Sequence, residues 1–278
     1  MLSLLSSLVW GFGDFCGGTA TRKLPAQVVV LGSQGFGLVL AAVAVLVTGS
    51  LSDPTGYLPW AVGAGLVGVA GLLLYYQALA TGTMGVVSPI ASLGVVVPVA
   101  IALATGRVPS AVVVVGIVLA VGGILALSGP ERSGPVGLRP TVMAAGAAVF
   151  FGFTIYFIAQ ASTYSPLMTM LTMRLSSVIP LGAITAVLVR RRTVVIHRPG
   201  PSIWVLTATA GAFDVTANLL FGYASTLGSL AIVAVLGSLY PGGTVLLARF
   251  VHGERLHRIQ QVGVVLALVG VALIAGGT

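Results

Sequence analysis

Charge is what this sequence lacks most. Only 6% of its 278 residues are charged, against 57% hydrophobic, and the mean hydropathy is +1.11. Soluble domains carry about 25% charged residues. A water-exposed surface of ordinary composition cannot be built from this chain, and an all-α polytopic membrane protein is the class left standing. Cysteine is nearly absent too: the single Cys16 lies inside an apolar run, which excludes an intramolecular disulfide and leaves the redox compartment open.

Catalytic signatures are missing as well. There is no Walker A loop, dinucleotide fingerprint, Gly-x-Ser-x-Gly elbow or Cys-x-x-Cys pair, and the polar segments are too short to hold an ATPase. No enzyme activity and no cofactor are therefore expected. His252 and His257 are five residues apart and fall on different helical faces, so no metal site is expected either. The formal charge of +8 would suit nucleic acid, but the basic residues sit in short islands between apolar runs, where they act as topology determinants, and no nucleic-acid partner is expected. The lipid bilayer is the expected partner.

What is present is a series of long apolar runs: Leu2 to Ala20, Val28 to Val47, Trp60 to Leu79, Val86 to Ala104, Ala111 to Leu127, Thr141 to Gln160, Leu167 to Val189, Ile203 to Tyr223, Ser229 to Val251 and Ile259 to Ala275. Each is compatible with a membrane-spanning helix at about 1.5 Å per residue, which predicts ten spans. The first has no basic residue ahead of it and is followed by Arg22-Lys23, the reverse of a secretory signal, so it is expected to be a retained span.

The chain also repeats itself. At a shift of 147 residues, Gly116, Val118, Leu119, Ala120, Gly123 and Gly129 overlay Gly263, Val265, Leu266, Ala267, Gly270 and Gly276. At 141, Trp10-Gly11-Phe12 overlays Phe151-Gly152-Phe153 and Pro25 overlays Pro166; at 144, Trp60 overlays Trp204. This predicts an internal duplication with a first five-helix unit over residues 1–127, a Gly- and Pro-rich linker over 128–140 and a second unit over 141–278. An odd number of spans per unit places the two units in opposite orientations, the inverted-repeat plan of many secondary transporters.

Loop charge predicts the orientation. The odd-numbered loops hold eleven Lys or Arg residues and the even-numbered loops hold only Arg107, which places the odd loops in the cytoplasm and both termini outside a cell (inner or plasma) membrane.

Several short motifs carry a resemblance: Trp10-Gly11 in the first run, Tyr76-Gln77-Ala78-Leu79 through Pro89 and Pro98 in the third and fourth, then Ser238-Leu239-Tyr240-Pro241, Gly253-Glu254-Arg255-Leu256 and Gln261-x-Gly263. In their order and spacing they resemble the EamA-type members of the drug/metabolite transporter superfamily over nearly the whole chain. The resemblance implies a transporter of two fused five-helix repeats. Two departures accompany it. Gly106-Arg107-Val108-Pro109 stands where the second half has Gly253-Glu254-Arg255-Leu256, and the family is usually drawn with both termini in the cytoplasm, opposite to the charge count.

Ionisable side chains at bilayer depth cost roughly 2.5 to 3.5 kcal/mol and so require a partner, a cavity or a function. Asp14, Arg174 and Asp214 are the three here. Arg174 and Asp214 lie roughly 10 to 14 Å from the same membrane face, at depths that let them pair. With Asn218, one turn from Asp214, they form a candidate site for a polar solute or a proton; the alternative is a buried ion pair that only sets helix register. Asp14 is similar in helix and rough position to the proton-exchanging acid of the small multidrug resistance exporters, and that resemblance implies a coupling carboxylate. The alternative is an anchor to Arg22 or Lys23.

Gln34, Tyr76, Gln77, Ser88, Ser92, Tyr156, Gln160, Ser238 and Tyr240 are further candidates for a cavity lining, of which Gln34, Tyr76 and Tyr240 are the expected substrate or ion contacts. Pro89, Pro98, Pro180 and Pro241 each delete a backbone hydrogen bond, and Pro89 with Pro241-Gly242-Gly243 is the expected hinge set. The Gly116-Ala120-Gly123 and Gly263-Ala267-Gly270 stripes are expected to pack the halves together, and Glu254 with Arg255 and Arg258 to cap the last span. The function these features imply is secondary export of a small metabolite or drug-like solute by alternating access, coupled to protons. A lipid-linked flippase or an integral-membrane enzyme are the alternatives.

Overall fold

The computed structural model describes residues 1–104, 110–127, 137–193, 199–228, 230–253 and 258–276, and every regular element among them is helical. The helices are α1 (Leu2–Thr21), α2 (Ala26–Thr48), α3 (Leu58–Thr81), α4 (Met84–Ser92), α5 (Val96–Ala104), α6 (Ala111–Leu127), α7 (Leu138–Ser162), α8 (Pro166–Arg190), α9 (Pro201–Leu227), α10 (Leu230–Gly237), α11 (Pro241–Val251) and α12 (Arg258–Gly276). Taking α4 with α5 and α10 with α11 as single interrupted elements gives ten, in the order the apolar runs predict. Five helical stretches, Ala26–Thr48, Thr55–Thr81, Leu138–Ser162, Pro166–Arg190 and Pro201–Leu227, are long and apolar enough to cross a membrane. Apolar side chains face outward over much of the surface, with Val47 81% and Phe250 77% exposed, as a lipid-facing surface requires.

Local chemistry sets the ends of these helices. Ser165 caps α8 by accepting from the Met168 amide, with Pro166 at the first helical position. The same Ser165 hydroxyl donates to Asp53 Oδ2 at 2.5 Å, tying two loops at one end of the bundle. Gly49, at φ +72°, ends α2 in the left-handed conformation that only glycine adopts cheaply.

Packing partners exchange between the halves. α1 lies against α9 and α7 against α3; α2 lies against α9 and α8 against α3; α2 meets α8, and α6 meets α12. The last pair is a backbone-to-backbone seam: a Cβ on Gly123 would stand 2.6 Å from the Ala267 nitrogen and 2.8 Å from the Gly263 oxygen. The small-residue stripes therefore pack, as their spacing suggests.

The two interruptions fall beside the expected hinge residues. In the fourth span Pro89 is inside α4, and a 3₁₀ turn follows at Leu93–Val95. In the ninth span the turn occupies residues 238–240, and Pro241, Gly242 and Gly243 form the first turn of α11. The placement expected for that break is corrected by one turn, because proline at a helix start lacks only an amide that would be unpaired there anyway. At the end of the bundle that holds Arg22 and Lys23, α4 and α11 pack together and every residue of α4 is buried. The linker charges Glu131 and Arg132, the Arg107 loop and the Glu254, Arg255 and His257 cluster lie outside the described residues.

Candidate functional site

Faces of eight helices, α1 to α4 and α7 to α10, converge on a central, partly open cavity. Helical periodicity explains its walls. Trp10 and Asp14 are one turn apart on α1, Phe151, Ile155 and Ile158 form a stripe on α7, and Asp214, Asn218 and Phe221 form another on α9. Both interruptions contribute: Ser92 and Gly94 from one, Ser238 and Tyr240 from the other.

One side of the cavity is a polar cluster joining α2, α8 and α9. Arg174 Nη1 donates to Asp214 Oδ2 at 2.8 Å and also to Gln34 Oε1. Gln34 Nε2 donates to the same Asp214 oxygen at 2.9 Å, and Asn218 Nδ2 donates to Asp214 Oδ1 at 2.8 Å. Ser177 stands beneath Gln34, with its hydroxyl 3.2 Å from Oε1. The Asp214 carboxylate is thus satisfied on both oxygens, while its side chain stays 21% exposed toward the cavity and Arg174 is 1% exposed. A guanidinium has five N–H donors. Here Nη1 carries both acceptors, and Nε and Nη2 are buried without a partner. The Tyr240 hydroxyl is buried and unpartnered as well.

Across the cavity, Asp14 accepts from the Tyr75 hydroxyl at 3.1 Å, and Tyr75 also lies 3.0 Å from Ser88 Oγ. No ion pair to Asp14 occurs among the described residues. Trp10 packs on Phe221 and Tyr240, with ring centroids 5.6 and 6.3 Å apart, forming an apolar wall beside the acid.

Of the residues singled out in the sequence, Asp14, Gln34, Arg174, Asp214, Asn218 and Tyr240 meet at this cavity, with Ser92 and Ser238. Tyr76 does not: it is 2% exposed in the core, seated over Gly17, where any Cβ would overlap its phenol. Tyr156 packs on Trp60 away from the wall. Sequence reasoning passed over Tyr75, although Gly68, Leu72 and Tyr75 share one face of α3 and the first two line the cavity. It also passed over the aromatic wall of Trp10, Phe151 and Phe221, since large apolar residues in a spanning helix look alike whether they face lipid, core or solute. The described residues contain no cluster of His, Cys, Asp or Glu that could hold a metal ion.

The sequence profile of the EamA-like transporter family matches residues 1–129 and 139–276. The chain belongs to the EamA-like transporter family. It is a multi-pass membrane protein of the drug/metabolite transporter superfamily. A crystal structure of a protein with 17% sequence identity superposes on this EamA-like chain at a TM-score of 0.70, covering 98% of this chain and 94% of its own length, so the fold is shared. No curated protein matches the sequence.

Proposed function

We propose that this EamA-like protein is a secondary active exporter that moves a small polar or amphipathic metabolite, or a drug-like solute, by alternating access in exchange for protons. One observation carries this reading. Two residues that line the central cavity, Arg174 and Tyr240, carry three buried polar atoms with no partner: Arg174 Nε, Arg174 Nη2 and Tyr240 Oη. An unmet buried hydrogen-bonding group costs about 1 to 3 kcal/mol, a cost that a solute bringing acceptors would relieve. Asp14, facing the same space without a cation, is the proposed coupling carboxylate, and Asp214 with Asn218 and Gln34 the polar wall of the solute site.

The two stretches matched by the family profile and the exchanged packing partners support two inverted repeats. The 3₁₀ turn at Leu93–Val95 and the turn at residues 238–240, flanked by Pro89 and by Pro241, Gly242 and Gly243, are the proposed flexing points. The odd-numbered loops are assigned to the cytoplasm and the membrane to the cell surface. A flippase would favour a wall rich in basic residues; the described cavity wall has Arg174 alone, already paired with Asp214.

The test begins with a thermal-shift screen of metabolites on the purified protein, followed by uptake of each hit into proteoliposomes with and without an imposed pH gradient. The expected outcome is a hit whose transport is accelerated by the gradient in the wild type and is indifferent to it in Asp14→Asn. Transport by Asp14→Asn that keeps its full gradient dependence would remove Asp14 from the coupling role.

A further inference from the structure

Asp14 is held by a phenol that also touches a second helix. Tyr75 is fully buried, and its ring is fixed between Tyr76 and Phe151 at centroid distances of 6.0 and 5.5 Å, so it cannot swing aside. Its oxygen reaches Asp14 on α1 at 3.1 Å and Ser88 on α4 at 3.0 Å. Ser88 stands directly before Pro89 in the short helix that packs against α11 and closes one end of the bundle.

A phenol has one proton to donate and lone pairs with which to accept. While Asp14 is a carboxylate it only accepts, so the phenol proton must point at Asp14, and the Ser88 hydroxyl donates to the Tyr75 oxygen. Once Asp14 takes a proton from the cavity its own O–H donates to Tyr75, and the phenol proton turns to Ser88 Oγ. One proton has been added, on Asp14; Tyr75 and Ser88 keep theirs, and only the direction of the chain of bonds reverses. The Ser88 hydroxyl must then rotate away and find another acceptor on or near α4.

We infer that Tyr75 is a positioning residue that transmits the protonation state of Asp14 to α4, and so sets when the α4–α11 end of the bundle opens. This rests on the reading of Asp14 as the coupling carboxylate. The other ionisable groups around Asp14 are Cys16 on its own helix, Tyr76 on α3, Asp214 on α9 and Tyr240 ahead of α11, with Arg174 held by Asp214. His252 lies at the far end of α11 beside Thr19.

Spin labels at Thr83→Cys and Val251→Cys, in a Cys16→Ala background reconstituted in nanodiscs, read the distance between the start of α4 and the end of α11 as pH is varied. Infrared titration of the same samples follows the protonated-carboxyl band that Asp14→Asn removes. The wild-type distance is expected to shift with pH, and Asp14→Asn to abolish the shift. Tyr75→Phe, which keeps the ring, is expected to abolish it as well while the Asp14 infrared band still titrates. Ser88→Ala cuts the same link from the α4 side and serves if Tyr75→Phe does not fold. A wild-type-like shift in Tyr75→Phe or Ser88→Ala overturns the inference and leaves the coupling role of Asp14 intact. A shift that survives Asp14→Asn belongs to another group, His252 first, and overturns both readings, as does a wild-type distance indifferent to pH.

Discussion

Asp214 and Arg174 are unequal partners. Asp214 retains amide donors from Gln34 and Asn218 and opens to the cavity, whereas Arg174 is 1% exposed and has no second ion-pair partner among the described residues. Stranding a buried charge costs about 3 to 5 kcal/mol, more than the pair itself is worth. Asp214→Asn is therefore expected to destabilise the protein by that amount, Arg174→Met by distinctly less, and the double variant to unfold thermally near the wild type; melting of the three variants in detergent checks the order. If the cluster is also the solute site, the double variant is stable and does not transport. The depth of Arg174 and Asp214 was legible from their distance to the helix ends, and that spacing anticipated the pair. Tyr75 was not, because a tyrosine one turn from a cavity stripe carries no mark of the acid it meets on a helix sixty residues away.

At the scale of the element, the two interrupted spans behave differently under substitution. The Leu93–Val95 turn is seated on α7: a Cβ on Gly94 would stand 2.5 Å from the Ala148 oxygen and 2.9 Å from the Gly152 nitrogen. Gly94→Ala must push the turn off its seat, and a loss of about 1 to 3 kcal/mol is expected, as for other overpacked sites. Gly242, in the first turn of α11, has nothing within 4 Å of its would-be Cβ. Gly242→Ala should then raise stability by up to about 1 kcal/mol, the helix-propensity difference, and slow transport by stiffening the proposed flexing point; paired melting curves and uptake assays decide. Pro89 and Pro241 mark the two interrupted spans, yet Pro180 sits inside an unbroken α8, so proline alone does not say which spans break. Nor do they say where, since the two turns are seated by contacts with α7 and α1 that no local propensity contains.

For the whole molecule, the ten apolar runs were written plainly in the composition, and the element order follows them. Orientation rests on loop charge alone. A cysteine at Thr193, exposed after α8, is expected to resist an impermeant thiol reagent on intact cells and react once they are permeabilised; a cysteine at exposed Ser52, at the opposite end of the bundle, should react at once. The reverse pattern would turn the assignment over. The cavity itself was only half legible, because its polar residues stand out against an apolar background while its apolar walls do not.

The buried acids and base have an electrical consequence. Two carboxylates, Asp14 and Asp214, face a single guanidinium, Arg174, so at formal charges the empty carrier holds one net negative charge inside the membrane. A proton or a cationic solute on Asp14 cancels it. In an exchange cycle the protonated carrier then reorients without moving net charge, and the form that carries a neutral solute with Asp14 deprotonated moves about one elementary charge, worth about 2.3 kcal/mol per 100 mV. Membrane voltage acts on one half of the cycle and spares the other. With the cell interior negative, it drives the solute-loaded carrier's charge outward, so clamping the voltage across proteoliposomes is expected to change the turnover of a neutral solute at zero pH gradient.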